Sequence, residues 1–100
     1  MNIKINQKNY SVAELSFKDM VHMEDMGFSV IEMFQKAKVF SLAVAFVGVC
    51  ANCSREEAEH LCEQHVLGGG KIEDIYEAFN KAVEDSGFFK KLLGVNGDKK

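Results

Sequence analysis

Residues 39–51 read Val-Phe-Ser-Leu-Ala-Val-Ala-Phe-Val-Gly-Val-Cys-Ala, an apolar run broken only by Ser41. A bilayer span needs about 20 such residues, so this run reads as a segment buried in protein. Being apolar on all sides, it is expected to be a central helix that its neighbours cover. Its β-branched and aromatic content would also suit a buried strand, and periodicity alone does not separate the two.

The flanking segments carry helical punctuation. Ser16 precedes Asp19, Ser29 precedes Glu32 and Ser54 precedes Glu57, each with the spacing of a capping box. In that arrangement the hydroxyl takes a free amide at the helix start and the carboxylate answers the serine's own amide. Gly27, Gly68 and Gly87 supply stops, since glycine readily takes the left-handed conformation that closes a helix. Whether residues 29–52 form one bent helix or two stays open.

Downstream of Ser54, the residues Ala58, Leu61, Cys62, His65 and Val66 fall on one helical face and are expected to be buried. Beyond the linker Gly68-Gly69-Gly70, the series repeats at Ile72, Ile75, Tyr76, Phe79, Ala82 and Val83. Glu73 and Asp74 fall at the positive end of that helix, where acids are favoured. Upstream, Ile3 and Ile5 alternate with polar residues, Gln7-Lys8-Asn9 offers a turn, and Tyr10 and Val12 resume the alternation. The expected fold is therefore mainly α with a small N-terminal β-hairpin over 2–13, an α+β arrangement. Its helices, over 16–89, make a compact bundle of four to five. One domain covers 1–93, and 94–100 is expected to be a mobile tail.

Composition narrows the function. The chain has 100 residues, of which 47% are hydrophobic and 27% charged, close to a globular average. A net charge of −3 gives no electrostatic support for nucleic-acid binding. No basic start with an apolar stretch behind it marks a signal peptide, and the 3 cysteines are expected to be free thiols in a reducing cytoplasm.

Cys50, Cys53, Cys62 and His65 form the sharpest candidate for chemistry, a Cys3His zinc site. Only residues 54–61 separate the two pairs, shorter than the usual finger spacing, and Cys62 and His65 share a face with Leu61 and Val66. Ordinary core cysteines are the competing reading. A thioredoxin-like role for Cys50 and Cys53 lacks the cis-proline of that fold, because the chain has no proline. Gly68-Gly69-Gly70-Lys71 lacks the spacing of a phosphate loop and has no strand before it. His22, His60 and His65 accompany no recognised nucleophile motif, so no catalytic residues and no cofactor are assigned.

Apolar surface is the more informative feature. Phe17, Met20, Val21, Met23 and Met26 spread over roughly 220° of their helix, against the roughly 100° stripe one core needs. Phe88, Phe89, Leu92 and Leu93 follow the last glycine stop. Met20, Met23, Met26, Phe88, Phe89, Leu92 and Leu93 are accordingly the candidate partner-binding residues, with burial in the core as the competing reading.

Taken together these segments resemble the small tail assembly chaperones of long-tailed bacteriophages, particularly phages and prophages of Gram-positive bacteria. The resemblance covers nearly the whole chain: hairpin, helix ending Met26-Gly27, apolar middle helix, capped acidic helix and glycine linker. It is strongest from Gly69-Gly70-Lys71-Ile72-Glu73-Asp74-Ile75 to Ala82-Val83-Glu84-Asp85-Ser86-Gly87-Phe88-Phe89. The cysteine pairs are not part of the family pattern. The resemblance implies a non-enzymatic protein of the bacterial cytoplasm, absent from the mature virion. Such a protein coats the tape measure protein, keeps it soluble and recruits tail tube subunits; self-association into a homo-oligomer is compatible with it. Many such chaperones also have a longer, frameshifted form, and Lys99-Lys100 is where A-rich codons would fall. A phage structural protein retained in the particle is the alternative of neighbouring type, and the zinc module the alternative of another class.

Overall fold

In a computed structural model, which describes residues 1–94, the alternating start of the chain forms strands β1 (Asn2–Ile5) and β2 (Lys8–Ser11). They pair antiparallel with Ile5 opposite Lys8 and Ile3 opposite Tyr10. The turn is therefore Asn6-Gln7, one residue earlier than the polar triplet 7–9 indicates. Both turn residues have positive φ, 52° and 66°, the geometry of a type I′ turn whose twist matches that of the strands. Asparagine tolerates that conformation, and Ile3 and Ile5, two residues apart on β1, are both buried on the core face. Val12 lies past the strand, and its N–H donates to the Met1 carbonyl at 2.7 Å.

Six helices follow among the described residues: α1 (Phe17–Asp25), α2 (Val30–Gln35), α3 (Val39–Ala51), α4 (Arg55–Leu67), α5 (Ile72–Asp85) and α6 (Gly87–Leu93). Segment 29–52 is thus two helices, and the Phe-Phe segment is a helix of its own. At Ser54 the capping box is reciprocal: the Glu57 N–H donates to the Ser54 hydroxyl at 3.2 Å, and the Ser54 N–H donates to Glu57 at 3.1 Å. At Ser16 the backbone N–H donates to the Asp19 carboxylate at 2.8 Å. Ser29 makes no side-chain cap, so the third expected box does not form.

One closing geometry recurs at helix ends. After α1, the Phe28 N–H reaches the Met23 carbonyl and the Gly27 N–H the Glu24 carbonyl, the paired bonds of a Schellman end. The same pair closes α2 through Lys38 to Met33 and Ala37 to Phe34, α3 through Cys53 to Gly48 and Asn52 to Val49, and α4 through Gly70 to His65 and Gly69 to Val66. The left-handed residue is Gly27 in α1 but Ala37, Asn52 and Gly69 in the others. Gly87 is not a stop. It is the first residue of α6, with Ser86 as the cap.

α3 is central, as its composition requires. Leu42, Ala43, Ala45, Phe46, Val47 and Gly48 are buried, and α1, α2, α4, α5 and β2 pack around them. Phe79 of α5 meets Phe46 edge-to-face at 5.5 Å and Phe34 of α2 at 6.5 Å. Full burial of each such ring is worth roughly 1.5–3 kcal/mol. On α4, Ala58 and Cys62 are buried and Leu61 half-buried, but Val66 is exposed. It lies roughly 80° round the helix from Ala58, at the margin of the buried face. No single helix among the described residues is long and apolar enough to cross a membrane. Of the tail expected to be mobile, 94–100, residues 95–100 lie outside the described residues.

Candidate partner-binding surface

α6 is held in place by Ser86, the one buried polar side chain among the described residues. Its hydroxyl donates to the Leu15 carbonyl at 2.7 Å and accepts the Phe89 N–H at 3.0 Å. It thereby caps the helix and ties its start to the segment before α1. The Gly87 N–H donates to the Glu14 carboxylate at 3.3 Å, setting a negative charge at the positive end of α6. Within Ser86-Gly87-Phe88-Phe89, the serine therefore fastens the helix start and Phe89, fully buried, anchors it in the core.

With Phe89 inward, Phe88 faces outward. Its ring meets Phe17 of α1 edge-to-face at 5.7 Å. Val21 lies one turn beyond Phe17, and Leu92 one turn beyond Phe88. Phe17 is 66% exposed, Val21 38%, Phe88 36% and Leu92 39%, so the four make an apolar surface on two helices joined at an aromatic contact. Phe40, Ile31, Val66 and Leu67 are exposed on other elements.

The structure corrects part of the residue set drawn from the sequence. Met20, Met23 and Phe89 are buried in the core and present nothing to a partner. Met26 and Leu93 are half-buried against the core, Met26 lying where a side chain on Gly48 would fall. Phe88 and Leu92 are exposed. The wide apolar arc of α1 is divided between two uses: Met20 and Met23 are buried in the core, while Phe17 and Val21, next to them on the arc, are exposed. Phe17 and Val21 belong to the surface. Their sequence signal was membership of that overwide arc, but periodicity does not say which end of an arc the core takes.

The structure does not gather Cys50, Cys53, Cys62 and His65 into one set of ligands. Among the described residues no group of three or more His, Cys, Asp or Glu side chains is placed to hold a metal ion. His65 points instead to the hairpin, where its Nδ1 accepts the Asn6 N–H at 2.9 Å. Burial, with the Asp19 charge second, pushes the Cys50 thiol up to about 12. Burial likewise pushes Cys62 to about 11, with Cys53 and Glu59 adding to it. Cys53 is also raised, by burial and then by Glu57. Burial thus favours the neutral form of all three thiols. The histidines are dispersed: the His22 ring lies 3.3 Å from the Cys53 carbonyl, and His60 is exposed on α4.

No protein-family model, no curated protein and no solved structure matches the chain.

Proposed function

We propose that this protein is a tail assembly chaperone of a bacteriophage or prophage. In this reading it is a non-enzymatic, cytoplasmic binding protein that holds the tape measure protein soluble, helps recruit tail tube subunits and leaves no copy in the finished particle. The observation that carries the proposal is the Phe17–Val21–Phe88–Leu92 surface. An exposed apolar patch built on two helices is a docking feature, and soluble monomers seldom keep one without use. The resemblance over residues 69–89 supports the same reading.

A tape measure protein is long and mostly helical, with apolar stripes that must be covered until the tube forms. A helical stripe laid across α1 and α6 could place its apolar residues against Phe17 and Phe88, in the manner of helix-in-groove recognition. The affinity must be modest, because the chaperone has to be displaced, and a small patch suits that.

The test is coexpression with a tape measure protein, comparing the wild-type chain with the double variant Phe17→Ser, Phe88→Ser. The expected result is soluble tape measure with the wild-type chain and its loss with the variant. No gain in solubility with the wild-type chain would overturn the proposal. Finding the chain in purified virions would favour the structural-protein alternative instead.

A further inference from the structure

We infer that His65 is a charge-gated latch that fastens the tip of the N-terminal hairpin to the end of α4. The Asn6 N–H, left free by the two-residue turn, donates to His65 Nδ1 at 2.9 Å. A ring nitrogen that accepts carries no proton, so the neutral ring holds its hydrogen on Nε2. That second nitrogen is buried and has no hydrogen-bond partner. Gly70 closes over the ring so tightly that a Cβ there would fall on it.

The latch therefore combines one good bond with one unmet donor, which makes it a poised contact. Charging the ring places a hydrogen on Nδ1 as well, and two N–H groups then face each other. The bond to Asn6 is lost and the turn is released from α4. The contact is present at higher pH and disappears as pH falls. The ring lines a pocket of about 460 Å³ together with β1, the turn, the 68–70 loop and α5. Its charged neighbours there are Lys4 of β1, which opposes a charged ring, and Asp74 of α5, which favours one. The turn and the glycine loop bring no charge. Release would uncover this pocket on the β1 edge, next to the buried Ile3 and Ile5 that keep the hairpin seated.

The experiment follows the Asn6 backbone amide and the His65 ring resonances of the whole chain by NMR between about pH 8 and pH 5, the span in which imidazoles change charge. The latch predicts that the Asn6 amide shifts with the same midpoint as the His65 ring, and more than the amides of Ile5 and Lys8. It also predicts that Gly70→Ala, which drives the ring from its seat, moves the Asn6 amide at pH 8 toward its low-pH position. An Asn6 amide that stays still while the ring charges would overturn the inference. A ring that remains neutral throughout, or an unmoved Asn6 amide in Gly70→Ala, would do so equally.

Discussion

Ala37 ends α2 with φ of 51°, a left-handed conformation that costs an L-residue roughly 1–2 kcal/mol. Glycine there removes the strain but adds freedom to the unfolded chain, so Ala37→Gly should stabilise the fold by about 0.5–1 kcal/mol. A rise of a few degrees in melting temperature would show it. Ser86 predicts the opposite sign. Ser86→Ala strips a buried carbonyl and a buried N–H of their partner, and should cost about 1–3 kcal/mol in denaturant unfolding. The cysteines make a third expectation. Because the thiol values are raised in the folded state, the folded state favours neutral thiols. That contribution to stability is whole below the ordinary value of 9.0 and is lost as pH climbs toward 11 and 12. Near pH 8, native Cys50 and Cys62 should therefore alkylate far more slowly than the same residues in denaturant.

At the scale of elements, the strong periodic signals were readable and the weak ones were not. The all-apolar character of residues 39–51 makes α3 the central helix, and the alternation of Ile3 and Ile5 sets their face of the hairpin. α5 buries Ile75, Phe79, Ala82 and Val83 as its period implies. The boundary between α2 and α3 could not be read, because Ala37 closes α2 without the glycine that marks such ends. Gly87 misled for the converse reason: it sits at a helix start, where Ser86 caps. The candidate surface was half-legible. Phe88 and Leu92 stood out as surplus apolar residues, but Phe89 differs from Phe88 only by a 100° step that sends it into the core. Because Phe17 is largely exposed, Phe17→Ser should change stability by no more than about 0.5 kcal/mol, checked by thermal unfolding. Phe89→Ser should cost about 3–5 kcal/mol or prevent folding, so it is unsuited to probing binding.

For the whole molecule, the apolar residues divide between a core and a surface. A single cluster of buried side chains runs from Ile3 and Ile5 through α3 to Phe89, uniting the hairpin with the helices. The cysteines, His22 and His65 are spent on core packing and local bonds rather than gathered at one point. Among the apolar residues left exposed are those where α1 meets α6, and the chaperone proposal rests on them. The most direct test is the soluble fraction of a tape measure protein coexpressed with the wild-type chain or with the folded Phe17→Ser, Phe88→Ser variant. A chaperone that binds through this surface predicts solubility that depends on the two aromatic rings. Equal solubility with both chains, or none with either, would contradict it.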